Sequence, residues 1–347
     1  MRRRAMPAVS ILSAFALLGL PAIFAAGQAR TGKTLDIYVV DVEGGNATLF
    51  VAPSGESLLI DTGNGGAAAP RDAGRIVAAA RDAGVTRIDH LVTTHWHGDH
   101  VGGLGEFATR MPIRHFIDHG PNVQPGPGID EFLRDAYPKL YEKGTHTVAK
   151  PGDSIAVAGL EVRVVSSAGQ VLATPLPGAG KPNPYCAAFK PTGNSAEDAQ
   201  SVGTYVRYGQ FRALHPGDLP TTKEFELMCP NSRIDAVDVL LGLHHGQDTS
   251  NSEVLVHAIR PRVAIMNNGP KKGGEAETMK TVRSSPGLLD FWQLHTSLNA
   301  PQANMPVAMI ANLDESAAHA VKLSAQRDGS FSVTNTRTGE TRRYGPR

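Results

Sequence analysis

Short apolar runs alternate with breaks rich in Gly, Pro, Asn and Ser through most of the chain. Leu35-Asp36-Ile37-Tyr38-Val39-Val40 combines β-branched and aromatic residues and predicts a strand, as do Ala47-Thr48-Leu49-Phe50-Val51 and Ser57-Leu58-Leu59-Ile60. Residues 71–83 set Ile76 and Val77 among alanines and charges and predict a helix, and 88–94 returns to strand. Further on, 113–117 predicts a strand. Residues 129–143 predict a helix from the spacing of Phe132, Ala136 and Leu140, and 154–165 a hairpin about Gly159. Residues 175–196 are rich in Pro, Gly, Asn and Lys and predict a long loop. The second half repeats the alternation: a hairpin about Gly209-Gln210, strand 237–243, helix 252–259, strand 263–266, helix 276–283 and a last hairpin about Asp328-Gly329. Both halves run strands, then helix. This layout predicts one unit over 33–340 built from two similar halves, with no linker between them.

Charge and composition exclude some classes. The 347 residues include 34 Lys plus Arg and 33 Asp plus Glu, and 41% are hydrophobic, so a folded core is expected and a disordered or strongly basic chain is not. The start is distinct. Arg2, Arg3 and Arg4 precede an apolar stretch over 6–24 and then Ala25-Ala26-Gly27, the order of a secretory signal peptide over 1–27. Pro7 and Pro21 interrupt the stretch, which is short for a membrane span. Its removal predicts an exported protein, periplasmic or extracellular, with 31 basic against 33 acidic residues and a charge of −2. That balance does not favour avid binding of duplex nucleic acid. No later segment is long and apolar enough to span a bilayer. Cys186 and Cys229 are an even count, and in an exported chain they predict one disulfide.

The chemistry concentrates in Thr94-His95-Trp96-His97-Gly98-Asp99-His100, between a predicted strand and the helix start at Val101-Gly102-Gly103-Leu104. His95 and His97 are two apart, so in an extended segment both rings project the same way and suit one metal. Asp99 and His100 follow where the chain can bend toward a second. Imidazole and carboxylate are ligands for zinc, with manganese or iron as alternatives.

His95-Trp96-His97-Gly98-Asp99-His100 resembles the signature of the metallo-β-lactamase superfamily of binuclear metallohydrolases. The resemblance implies an α+β fold, an αββα sandwich of two similar halves, and two divalent metal ions. It extends in order through Leu58-Leu59-Ile60-Asp61-Thr62-Gly63, where Asp61 would orient a ligand histidine. Pro216-Gly217-Asp218-Leu219 follows, with Asp218 bridging the metals, and then Leu243-His244-His245-Gly246, with a last histidine ligand. His245 is preferred there because it directly precedes Gly246, leaving His244 to face substrate. A closer resemblance, to the hydrolase domain of ComEC-like competence proteins, rests on Asp41-Val42-Glu43-Gly44-Gly45-Asn46-Ala47, residues 194–201, Gly217-Asp218 and His244-His245-Gly246 with Ser250 and Ser252. One departure stands out. The place where many superfamily members supply a third histidine for the first metal corresponds to Ser167-Ala168-Gly169-Gln170. Gln170 is a poor ligand, so water, His119 or His215 would complete that site.

The resemblance implies that a water activated between the metals attacks a carbonyl carbon or a phosphorus, with Asp99 both a ligand and a proton guide. Phosphoester hydrolysis is the leading expectation. Hydrolysis of a lactone or β-lactam follows, and a non-catalytic metal-binding protein comes last. Lys271 and Lys272 are either contacts for an anionic substrate or a solvated turn. Trp96 is expected to wall the site, and Trp292 and His295 to line the cleft or lie in the core.

Overall fold

The structure, a computed structural model, describes residues 34–192, 195–316 and 318–347. The predicted signal peptide and Asn194 lie outside the described residues. Among the described residues the strands form two nine-stranded sheets. The first holds β1 (Leu35–Val39), β2 (Thr48–Val51), β3 (Ser57–Ile60), β4 (Ile88–Val92), β5 (Ile113–Asp118) and β6 (Thr145–Val148). The second holds β7 (Ser154–Ile155), β8 (Glu161–Ser167), β9 (Gln170–Val171), β10 (Gly203–Tyr208), β11 (Phe211–His215), β12 (Val239–Gly242), β13 (Val263–Met266), β14 (Asp290–His295) and β15 (Ile310–Asn312). The chain then returns to the first sheet, where β16 (Val321–Ala325) pairs with β1 and carries β17 (Phe331–Asn335) and β18 (Thr341–Tyr344).

The two sheets face each other across a core drawn from both, including Ile37, Phe50, Ile60, Val164, Val206, Leu241, Ile265, Trp292 and Leu323. The outer face of the first sheet is covered by α1 (Ala69–Asp82), α2 (Leu104–Arg110), α3 (Pro127–Glu131) and α4 (Tyr137–Tyr141). The second is covered by α5 (Thr221–Met228), α6 (Glu253–Ile259) and α7 (Ala276–Arg283). The result is a helix–sheet–sheet–helix sandwich. α1 shows why each layer forms: Ala69, Ala73, Ile76, Val77 and Ala80 are buried at helical spacing, Pro70 sits in its first turn, and Gly84 just beyond it takes φ +74°.

Two elements, α5 and β14, have no counterpart in the sequence reading. α5 lies where no helix was expected, because it is short and its apolar residues number few. β14 is a central strand, so Trp292 is wholly buried core rather than a cleft wall. The expected disulfide between Cys186 and Cys229 is formed, and it pins the loop after β9 to the end of α5.

Strand direction places the site. β3, β4, β5 and β6 run parallel, as do β11 to β15. In parallel sheets the loops leaving the carboxyl ends of strands gather at one edge, where ligands bind. The loops after β3, β4, β11, β12 and β13 carry Asp61, His95–His100, Asp218, His244–His245 and Lys272 respectively.

Candidate metal centre

The strand-end loops bring two groups of donor atoms together. Asp99, His100, Asp218 and His245 form one, and His95, His97 and Asp198 the other. Asp218 Oδ2 stands between them, 3.1 Å from His100 Nε2, 3.2 Å from His245 Nε2, 3.3 Å from His244 Nε2 and 4.0 Å from His95 Nε2. Asp99 Oδ2 lies 3.2 Å from His100 Nε2 and 3.1 Å from His245 Nε2. In the other group His95 Nε2 is 3.0 Å from His97 Nδ1, and Asp198 Oδ1 is 2.9 Å from His97 Nδ1 and 3.4 Å from His95 Nε2.

Outer hydrogen bonds fix which nitrogen faces inward in His95, His97, His100 and His244, while His245 Nδ1 is buried without a partner. His100 Nδ1 donates to Asp61 Oδ2 at 2.7 Å, leaving Nε2 bare toward Asp218. Thr94 Oγ1 spends its own proton on Asp61 Oδ2 and so accepts from His95 Nδ1 at 3.1 Å. His97 Nε2 faces the Gln124 amide oxygen at 3.4 Å, freeing Nδ1. Ser250 Oγ donates to the Leu219 carbonyl and so accepts from His244 Nδ1 at 2.7 Å. When these rings are neutral, lone pairs on their inward nitrogens face the carboxylate oxygens, an arrangement that suits cations. Asp198 Oδ1 is buried with no hydrogen bond to satisfy it. The donor set, imidazole and carboxylate, fits two divalent metal ions.

Burial and neighbouring charge compete at each of these groups. Burial, with His100 alongside, holds the His95 pKa well below the ordinary histidine range. At His100 burial is outweighed by Asp218, Asp99 and Asp61, and its pKa stands well above that range. Burial opposes charge on Asp99 and Asp218 as well, yet His100 and its neighbours hold both well below the usual carboxylate range.

Local backbone geometry aims the side chains. Gly242, Leu243, His244, His245 and Gly246 all take positive φ, 79°, 58°, 46°, 54° and 84°. Each left-handed non-glycine residue costs about 1–2 kcal/mol. The turn is held by Asn251 Nδ2 on the Leu243 carbonyl at 2.7 Å, by His245 N on Asn267 Oδ1 at 3.2 Å and by Gly274 N on the His245 carbonyl at 2.9 Å. It turns both adjacent rings into the same cavity, which resolves the choice between them: His245 joins the Asp99 group, and His244 groups with Asp198 and Asp218. Asp61, also at positive φ (62°) and fully buried, accepts from Thr94 N, Thr94 Oγ1, Asn46 Nδ2 and His100 Nδ1.

Asp198 was missed by the sequence reading, and it corrects the expectation about the first site. Gln170 is exposed on β9. His119 is buried but bonds Glu197 Oε1 at 2.8 Å, and the same oxygen accepts Trp96 N at 2.9 Å while Glu197 Oε2 accepts Val123 N at 3.0 Å. His119 thus anchors the residue beside Asp198 instead of joining the donors. His215 accepts from Gly217 N and reaches Asn46, and burial pushes its pKa down to about 4. Trp96 is buried against His119 and Tyr137. His295 is buried on Asp41 at 2.6 Å. Lys271 is exposed, and Lys272 Nζ contacts Asp99 Oδ2. The one sequence signal for Asp198 is an acidic pair, Glu197-Asp198, just ahead of β10, whose amino end meets the same edge as the parallel strands' carboxyl ends.

Comparison with known proteins places this geometry. The model of the metallo-beta-lactamase superfamily matches residues 40–182. The chain is 38% identical over 68 residues to an atrochrysone carboxyl ACP thioesterase of Aspergillus terreus, covering 20% of each chain. It is 26% identical over 239 residues to Recombination protein 2 of Haemophilus influenzae, covering 68% of this chain and 24% of that one. Among solved structures, the metallo-beta-lactamase fold protein YhfI from Bacillus subtilis superposes with a TM-score of 0.43 at 12% identity, covering 75% of this chain and 96% of that one. The chain spans about a fifth to two fifths of the length of the first curated relatives it matches.

Proposed function

We propose that the chain, which matches the model of the metallo-β-lactamase superfamily over residues 40–182, is a metal-dependent hydrolase acting on phosphoester bonds. The observation that carries this reading is the set of bare imidazole nitrogens and carboxylates converging on Asp218 Oδ2. His95, His97 and Asp198 would hold one ion, Asp99, His100 and His245 the other, with Asp218 shared and His244 on the Asp198 side. Zinc, manganese and iron all suit such donors. Two divalent ions there supply Lewis acidity and make water nucleophilic near pH 7, so no serine or cysteine nucleophile is required.

The chain's own residues do the rest. Asp61 fixes the His100 ring through Nδ1 and steadies the motif loop through Thr94. Glu197 ties that loop to residues 119–123 and so sets Asp198 opposite His97. Asp99, at the solvent side of its group, is placed to guide a proton from the attacking water.

The phosphoester reading rests on the resemblance to the hydrolase domain of ComEC-like competence proteins, beside the alignment over 68% of this chain with Recombination protein 2. A carbonyl-bond hydrolase, of thioester, lactone or lactam, is the second reading, favoured by the short thioesterase match. Parallel assays on metal-reconstituted protein with bis-p-nitrophenyl phosphate, a thioester and nitrocefin separate them. Turnover of the phosphodiester alone is expected; turnover of only the thioester or nitrocefin overturns the first reading. Export is part of the proposal, supported by the basic, apolar and small-residue order of 1–27 and by the Cys186–Cys229 bridge, which suits an oxidising compartment. Among the described residues no helix is long and apolar enough to cross a membrane. The charge of −2 after signal removal does not favour duplex nucleic acid as the substrate.

A further inference from the structure

Lys272 is a cation at the centre that contacts Asp99 without being a metal donor itself. Its loop is rigidly built. Gly269 N donates to the Lys272 carbonyl at 3.0 Å, Leu298 N to the Pro270 carbonyl at 2.8 Å, and Asn299 Nδ2 to the Gly273 carbonyl at 2.8 Å. Glycines let the loop approach its neighbours. A Cβ on Gly44 would stand 2.9 Å from Lys272 Cβ, and one on Gly273 would stand 1.9 Å from the His245 carbonyl oxygen. The loop is therefore wedged between the turn that carries Asn46 and the turn that carries His245. The Lys272 ammonium is delivered to Asp99 Oδ2 with its side chain still 39% exposed, at the solvent mouth of the centre.

Charge decides what that ammonium does. Asp61, Asp99, Asp198 and Asp218 are the carboxylates of the centre. Two divalent cations would balance them, leaving Lys272 as surplus positive charge. The nearby Arg71 and Arg75 do not add to it, being paired with Glu43, Asp72 and Asp41. Once a cation takes Asp99 Oδ2, the ammonium loses its partner and is repelled outward, to where a substrate enters.

We infer that Lys272 is a specificity-determining residue that binds a non-bridging oxygen of an anionic phosphodiester. This inference rests on the phosphoester reading above and narrows it to substrates that keep a negative charge at the scissile group. A neutral ester gives Lys272 nothing to bind.

The test compares the full-length metal-reconstituted protein with Lys272→Met and Lys272→Arg. Calorimetry measures inorganic phosphate binding, metal analysis confirms equal loading, and turnover is followed on bis-p-nitrophenyl phosphate. A hydrogen bond to a charged group predicts that Lys272→Met weakens phosphate binding roughly 10- to 100-fold. Phosphodiester kcat/KM should fall by a similar factor, with Lys272→Arg recovering part of the loss. Unchanged phosphate affinity in fully loaded Lys272→Met overturns the inference, as does a wild-type protein that binds no phosphate. A wild-type protein that binds phosphate through Lys272 but hydrolyses no phosphodiester overturns the phosphoester reading alone.

Discussion

At the scale of single residues, the account turns on which side chains supply an inward lone pair and which steady them. Asp218→Ala and Asp99→Ala are each expected to abolish turnover on whichever substrate the parallel assays identify; full activity in either variant contradicts the proposed centre. Asp61→Ala leaves every donor in place but frees the His100 ring, and loss of such an outer partner typically weakens metal binding about 10–100-fold. A competition titration with a chelator reads this directly, and unchanged affinity would show that Asp61 serves only the turn. Most of these residues were legible in the sequence because His95-Trp96-His97-Gly98-Asp99-His100 packs its donors into six positions. Asp198 was not singled out, since the acidic pair Glu197-Asp198 in a polar loop looks like any solvated charge. Only the fold shows that Glu197 beside it is captured by His119 and the Trp96 amide.

Whole elements were read from apolar runs, and the strands and helices with strong periodicity, such as α1, α7 and the hairpin of β10 and β11, lie close to their expected bounds. Two features escaped. α5 buries few apolar residues, among them Leu227 and Met228. The left-handed turn over 242–246 has no periodic signature, because its conformation is imposed by Asn251, Asn267 and Gly274 from elsewhere in the chain. That turn is vulnerable at its closest contact. Gly273→Ala places a Cβ against the His245 carbonyl at a position with φ +66°, and overpacking of this kind costs about 1–3 kcal/mol. Denaturant unfolding should show the loss together with weaker metal binding; wild-type values for both would mean that the turn does not depend on this contact. The disulfide acts at the same scale. It spans 43 residues between the long loop and α5, and its removal in Cys186→Ser/Cys229→Ser should cost about 2–4 kcal/mol in the same experiment.

The whole molecule is a sandwich whose two sheets contribute one donor group each only in part: the shared Asp218 and the paired loops require both. Its stability carries a pH signature away from the centre. Glu224 is fully buried under the start of α6, where it accepts Asn251 N at 2.7 Å and Ser252 N at 2.8 Å. Burial pushes its pKa up to about 7 from 4.5, against those hydrogen bonds. The folded chain then keeps a proton that the unfolded chain releases, so this contribution is fully present below about pH 4.5 and is lost as pH rises toward 7. Glu224→Gln should flatten stability across that window in urea titrations at several pH values; an identical slope in the variant would contradict the shift.

The central claim is that two cations sit on one shared carboxylate, with Asp198 completing the first site. Metal content measured by mass spectrometry on reconstituted, dialysed protein tests it most directly. Two equivalents per chain are predicted for the wild type and one for Asp198→Ala. A wild type that retains none, or an Asp198→Ala variant that still retains two at wild-type affinity, would contradict the account.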